Sequence, residues 1–188
     1  MTDRELLTAY VEARDADSLG TLLARYQDSL LRFVSRLLGD ADAAQDVVQE
    51  TFLEAARHPK RLLRVDSCHN WLLRVARNRS VDYLRKEIRR RKHTEASAPT
   101  RTQARTQTDD LQPTAPLESA ERRQVTRDAI DHLPPRQKEV LLLRIEAGKS
   151  YREIAEITGL SPTNVGYILH NTMKELSTRL ATLGGKDA

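Results

Sequence analysis

From Thr94 to Pro116 the chain runs TEASAPTRTQARTQTDDLQPTAP, and Leu111 is the one large apolar side chain in that whole stretch. Such a segment cannot bury enough surface to repay the entropy of ordering it. No hydrophobic core can extend across it, so the chain must fold as two halves on a flexible connector. Of its 188 residues 39% are hydrophobic and only 4% aromatic. Each half therefore suits a small bundle packed with Leu, Val and Ile. No segment alternates with period two, and no sheet is expected. The expected fold is all-α: a helical domain over residues 1–93, a linker over 94–117, a second helical domain over 118–184 and a tail over 185–188.

In the first half, Thr2 and Glu5 have capping-box spacing for a short helix carrying Leu6, Leu7, Tyr10 and Val11. A long helix from about Ser18 to Leu38 follows on the stripe Leu19, Leu22, Leu23, Tyr26, Leu30, Phe33, Val34 and Leu37, and Gly39 ends it. Asp42 is the expected cap of a third helix, with Gln45 three residues on and Val47, Val48 and Phe52 facing inward. HPKRLLRVDSCHN reads as an irregular loop with a partial turn. A fourth helix is expected from near Ser67 to about Arg91, on Trp71, Leu72, Val75, Val81, Leu84 and Ile88.

The second half opens with a helix near Glu118–Asp131, breaks at Leu133–Pro134–Pro135, and resumes on Val140, Leu141, Leu142 and Ile145. It then carries SYREIAEITGLSPTNVGYILHNTMKEL. Ser150 and Glu153 form a second capping-box pair, and Ile154, Ala155 and Ile157 give that helix a packing face. Gly159 suits the left-handed residue that ends it. Ser161 caps a further helix with Pro162 at its first position. Val165, Ile168, Leu169, Thr172 and Leu176 fall on one side of this helix; Thr163, Asn164, Tyr167, His170, Asn171 and Lys174 fall largely on the other. This is the pattern of a helix-turn-helix, whose second helix reads base edges in the major groove.

The net charge is only +4, but it is segregated. From Arg74 to His93 there are nine Arg or Lys (74, 77, 79, 85, 86, 89, 90, 91, 92) against Asp82 and Glu87, a local +7. From Asp40 to Glu54 there are five acids (40, 42, 46, 50, 54) and no base. Segregation of this kind implies one surface for a polyanion and another for a basic partner. An enzyme is a poor fit. The histidines 58, 69, 93, 132 and 170 lie at no metal-binding helical spacing, Cys68 and His69 lack a third partner, and no phosphate-cradling glycine loop occurs, so no metal or cofactor is expected. The lone Cys68 fits a reducing compartment. No apolar run approaches a membrane span, and MTDRELL lacks a signal-peptide layout. A cytoplasmic location without membrane insertion is expected.

Three stretches together resemble the extracytoplasmic-function class of RNA polymerase sigma factors: DAAQDVVQETFLEAAR (Asp42–Arg57), NWLLRVARNRSVDYLRK (Asn70–Lys86) and LPPRQKEVLLLRIEAGKSYREIAEITGLSPTNV (Leu133–Val165). The third also resembles LuxR-type regulators; the first two, in this order and spacing, are specific. The resemblance implies core RNA polymerase as a partner, through its β′ clamp helices and β flap, together with promoter DNA and an anti-sigma factor or other regulator. It implies polymerase docking by Asp42, Asp46, Gln49 and Glu50. The loop Arg61–Asn70 would form a pocket for a flipped base. Asn70, Trp71, Asn78, Asp82 and Arg85 would serve the minus-ten DNA, with Arg74, Arg77 and Lys86 holding phosphates. For Trp71 a core position is the stronger reading. Lys149, Arg152, Thr163, Asn164, Tyr167, His170, Asn171 and Lys174 would serve the minus-thirty-five element, and Arg136, Lys138 and Arg144 would join them if their faces meet DNA.

The chain also departs from the family. Many members have Val-Lys-Ser-Arg-Leu where this one has Val165-Gly166-Tyr167-Ile168-Leu169, so two basic positions are lost. Gln45 stands where an acid is common and Ala56 where Trp is common, making the docking surface less negative. The competing reading is a LuxR-like stand-alone regulator with an unrelated helical sensor domain. It needs no acidic docking helix, and the segregated charges argue against it.

Overall fold

The computed structural model describes residues 1–94 and 117–184, and side chains over 1–90 and 124–181. The expected linker and tail lie outside the described residues. Those residues are helical without strands, and they fall into two compact units.

The first unit holds α1 (Asp3–Ala13), α2 (Ala16–Leu38), α3 (Ala41–Arg57), α4 (Pro59–Leu62) and α5 (Cys68–Thr94). Helix α2 is its axis and packs against α1, α3 and α5. Leu22, Leu30, Phe33 and Val34 of α2 meet Ala44 and Ala55 of α3 and Leu72, Leu73 and Ala76 of α5 in a fully buried core. The capping box of α1 forms as its spacing predicts: Thr2 N–H donates to Glu5 Oε2 at 2.7 Å and Glu5 N–H to Thr2 Oγ1 at 3.3 Å. Polar clamps hold α1 to the bundle. Arg25 pairs with Asp3 at 3.0 Å, the Tyr26 hydroxyl donates to the same carboxylate, and the Tyr10 hydroxyl donates to the Ala56 carbonyl at 3.3 Å. Burial, reinforced by Asp3, pushes the Tyr26 hydroxyl pKa well up and keeps it a donor.

Two helix starts differ from expectation. Helix α2 begins at Ala16, because Asp15 caps it by accepting from Asp17 N–H at 3.1 Å. Helix α3 is capped by Asp40, whose carboxylate accepts from Ala43 N–H at 3.0 Å, rather than by Asp42. Gly39 closes α2 in the left-handed region (φ 69°), so that only Gly39 and Asp40 separate the two helices. Asp42 then falls in the first turn, its side chain free to face outward, and Gln45 has no capping role. The irregular loop contains one helical turn, α4, where Pro59 supplies a preset φ at the first position.

The second unit holds α6 (Leu117–Asp131), α7 (Pro135–Ile145), α8 (Tyr151–Thr158) and α9 (Pro162–Gly184). Helix α9 packs on α6, α7 and α8. Val140, Leu142, Leu143, Ile154 and Val165 are wholly excluded from solvent. Thr172 is equally buried and settles its hydroxyl on the Ile168 carbonyl at 2.7 Å. Pro134 and Pro135 break the chain as expected, with Pro135 opening α7.

Candidate nucleic-acid interface

Helix α3 turns its polar side outward. Asp42, Asp46, Gln49 and Glu50 are all exposed, at spacings that place them on one face. Leu53, 47% exposed, continues that face by one turn. Sequence reading missed it, although its position one turn beyond Gln49 and Glu50 is visible in the pattern.

Helix α5 begins at Cys68 after Ser67, whose hydroxyl accepts from Asn70 N–H at 3.2 Å. Arg74, Asn78, Asp82, Arg85 and Lys86 are exposed along it, and Arg77 is half-buried. This face is already internally paired: Arg77 donates to Asn78 Oδ1 at 2.9 Å, and Arg85 meets Asp82 at 3.5 Å. Asn70 lies half-buried, with an Oδ1 that has no hydrogen-bond partner. Trp71 does not join the face. It is 5% exposed and fills the core, although its i, i+3 and i+7 spacing puts position 71 on the same side of α5 as Arg74 and Asn78. Its ring cannot stack on a base in this conformation. Beside it, burial pushes the Cys68 thiol pKa up to about 11, leaving an unreactive thiol.

A residue outside the expected set joins the two faces. Arg79 of α5 reaches across to α3, meeting Glu50 at 2.5 Å and Glu54 at 3.5 Å. Part of the acidic face is thus neutralised from within the domain.

In the second unit the two helices of the expected helix-turn-helix are α8 and α9. Ser150 accepts from Glu153 N–H at 3.3 Å while Ser150 N–H donates to Glu153 Oε2 at 2.9 Å, completing the capping box. Gly159 ends α8 with φ 75°, and Ser161 caps α9 by accepting from Asn164 N–H at 3.2 Å. Thr163, Asn164, Tyr167, His170 and Lys174 are exposed and Asn171 is half-buried, while Val165, Leu169 and Leu176 are buried behind them. Arg152 is exposed at the start of α8.

Lys149 behaves differently from expectation. It is 7% exposed, and its ammonium donates to Glu153 Oε1 at 3.3 Å, so it supports the capping box instead of facing a phosphate. Arg136 and Lys138 are likewise engaged, with Glu139 at 3.1 Å and Asp131 at 2.9 Å. Arg144 donates to the Lys149 carbonyl at 3.0 Å and lies 5.8 Å over the Tyr151 ring. Tyr151 in turn covers Gly166, where an added Cβ would sit 3.6 Å from the ring, an ordinary contact. Nothing steric requires glycine there. Gly166→Ala is therefore expected to raise the stability of this unit by about 0.5–1 kcal/mol through helix propensity. A higher urea midpoint at unchanged slope checks this, and a lower midpoint would show that the ring resists the methyl.

Comparison with known proteins places these two units. Residues 22–90 match the Sigma-70 region 2 family, and residues 123–176 match Sigma-70, region 4. The ECF RNA polymerase sigma factor EcfG of Rhodopseudomonas palustris is 32% identical over 171 residues, covering 91% of this chain and 90% of that protein. The ECF RNA polymerase sigma-E factor of Haemophilus influenzae is 30% identical over 160 residues, 84% of each. Among solved structures, the sigma factor RpoE of Bartonella quintana, crystallised with the anti-sigma factor NepR, matches with a TM-score of 0.73 at 20% identity. That match covers 88% of this chain and 98% of RpoE and speaks for the fold. The region 2 match spans the half where a LuxR-like regulator would carry an unrelated sensor, and that alternative finds no support. With acidic and basic faces on a region 2 domain and a complete helix-turn-helix on a region 4 domain, the chain belongs to the extracytoplasmic-function sigma factors of RNA polymerase.

Proposed function

We propose that this alternative sigma factor docks on core polymerase through Asp42, Asp46, Gln49 and Glu50 of α3, and engages promoter DNA through α5 and α9. The observation that carries this assignment is the opposition of charge on two neighbouring helices: exposed acids along α3, exposed cations along α5, and Arg79 between them. Exposed charges of this kind steer encounter and set register more than they add bulk affinity.

On the minus-ten side, Arg74, Arg77 and Lys86 hold phosphates while Asn78, Asp82 and Arg85 meet the melted strand. The stretch Arg61–Asn70, running from the turn α4 into the first turn of α5 and ending at the unpartnered Asn70 Oδ1, receives an extruded base. Unstacking that base costs binding energy, which the pocket and the backbone cations offset. On the minus-thirty-five side, Thr163, Asn164, Tyr167, His170, Asn171 and Lys174 face the groove with Arg152 on the backbone. The chain acts by positioning polymerase and stabilising melted DNA, without catalysing a reaction itself. Its place of action is the cytoplasm; no helix among the described residues is long and apolar enough to cross a membrane. Control falls to a separate protein of the anti-sigma class.

Run-off transcription with core polymerase on a promoter library tests this reading. Promoter-specific transcripts are expected only when the chain is present. Asn164→Ala is expected to weaken promoter use by roughly 5- to 150-fold if its amide pairs bidentately with adenine, from about 1–3 kcal/mol of discrimination. Duplex binding without core, and no added transcripts, would refute it.

A further inference from the structure

Helix α9 presents a face that its own unit leaves unused. Val165, Leu169, Thr172 and Leu176 are buried, and Tyr167 stands directly opposite that stripe. At 67% exposure its ring is the most open of the large hydrophobic side chains described in this unit. Asn164 lies one turn before it and Asn171 one turn after, with Thr163 and His170 beside them. None of these five side chains makes a hydrogen bond or ion pair among the described residues. The α5 face differs, for Arg77 already holds Asn78 and Arg85 meets Asp82.

Which groups this face lacks is as informative. From Pro162 to Met173 the chain contains no Arg, Lys, Asp or Glu, so the first three turns of α9 carry no guanidinium, ammonium or carboxylate. These are the turns that a helix-turn-helix sets against base edges. In the major groove guanine shows two acceptors, which Arg or Lys matches, and cytosine shows a donor, which Asp or Glu matches. Adenine shows a donor beside an acceptor, the complement of an Asn amide. Thymine shows the one apolar group, its methyl. Two asparagines flanking an aromatic ring therefore complement A·T pairs and offer G·C pairs no strong partner. From Asn164 to Asn171 the helix rises about 10 Å, roughly three base-pair steps.

We propose that α9 selects a short A·T tract in the minus-thirty-five element and that Tyr167 is its specificity-determining residue. The Tyr167 ring packs on a thymine methyl, and Asn164 and Asn171 pair with adenines on either side. This deepens, and rests on, the promoter-binding role of the second unit. Arg152 on the backbone places the helix without choosing bases. Gly166 and Ile168, the neighbours of Tyr167, bring no hydrogen-bonding side chain to compete with it. The preference thus comes from a methyl and two amides, where a guanine-reading helix would use a guanidinium fork.

The test uses the full-length chain assembled with core polymerase. Transcription from a promoter library randomised across the minus-thirty-five region identifies the preferred element, which is expected to hold about three or four consecutive A·T pairs. Duplexes carrying that element are then made with deoxyuridine in place of one thymidine at a time, which removes a methyl and alters no hydrogen bond. At one position the wild type is expected to bind about fourfold more weakly, the loss of one buried methyl. Tyr167→Ala should bind the thymine and uracil duplexes equally, and Tyr167→Phe should keep the difference. A merely structural role for Tyr167 would change affinity for both duplexes and leave their ratio intact.

Methyl sensitivity that persists in Tyr167→Ala would overturn the proposal, as would the absence of any sensitive thymine in the wild type. A preferred element with a fixed guanine, weakened by 7-deazaguanine at that position, would also overturn it. Promoter-specific transcripts without these A·T signatures refute the base assignment alone. A chain that directs no promoter-specific transcripts refutes the promoter-binding role as well.

Discussion

Glu153→Ala is expected to destabilise the helix-turn-helix unit by about 2–3 kcal/mol, more than its position on a partly exposed helix start suggests. The carboxylate has two duties. It closes the capping box on Ser150, accepting from the backbone N–H at 2.9 Å and from the hydroxyl at 2.7 Å. It also receives the Lys149 ammonium, whose side chain is only 8% exposed. Losing a cap costs about 1 kcal/mol. Leaving a buried cation without its partner costs about 3–5 kcal/mol at full burial, and less here because Glu153 itself is 35% exposed. Ser150→Ala, which removes the cap and leaves the ion pair, should cost about 1 kcal/mol. Urea unfolding of both variants, with hydrogen exchange along α8, separates the two duties; equal costs would show that the Lys149 contact contributes nothing.

The same carboxylate ties the unit to pH. Its pKa is lowered from 4.5 to about 2, first by the Ser150 backbone N–H, then by the Ser150 hydroxyl and more weakly by Lys149. A carboxyl held lower in the folded than in the unfolded chain contributes stability above its unfolded pKa. That contribution is whole above about pH 4.5 and is lost as pH falls from there toward 2. Acid should therefore weaken α8 in the wild type over that window, and Glu153→Ala should lack this component.

Reversing charge on the α3 face is expected to have the largest effect on function. Asp42→Lys with Asp46→Lys should weaken binding to core polymerase by roughly 100-fold, since like charges facing across an interface cost several kcal/mol. Glu50 is left intact because Arg79 holds it, and its loss would disturb the packing of α3 on α5. Asp42 lies in the first turn of α3, so its reversal also costs about 0.5 kcal/mol against the helix dipole. Asp42→Asn with Asp46→Asn keeps that penalty small and should give an intermediate loss. Fluorescence anisotropy with labelled protein measures both, and unchanged affinity would move the docking surface elsewhere.

The helix ends were legible in sequence because capping is local chemistry. Thr2 with Glu5, Ser150 with Glu153, Gly39 and Gly159 act within one turn of chain, and all take the predicted roles. The α3 cap was misread because two aspartates compete two residues apart. Gly39 must end α2 first, and the Tyr83 hydroxyl reaches Asp40 from α5 at 3.4 Å, a contact forty-three residues away in sequence. Lys149 was misread for a related reason. A lysine at a helix start looks like a phosphate ligand until its neighbours bury it. Arg79 escaped notice because its importance depends on which helix lies beside it, and periodicity carries no such information.

The single tryptophan of the chain has a practical consequence. Trp71 lies in the core of the first unit, and no tryptophan stands in the second. Emission therefore reports the melting of α1–α5 alone, whereas far-ultraviolet circular dichroism sums over all helices. Following both signals on one sample measures two stabilities and any coupling between them, with no label added. A variant in α8 that shifts the dichroism and leaves the emission untouched establishes that the two units unfold independently.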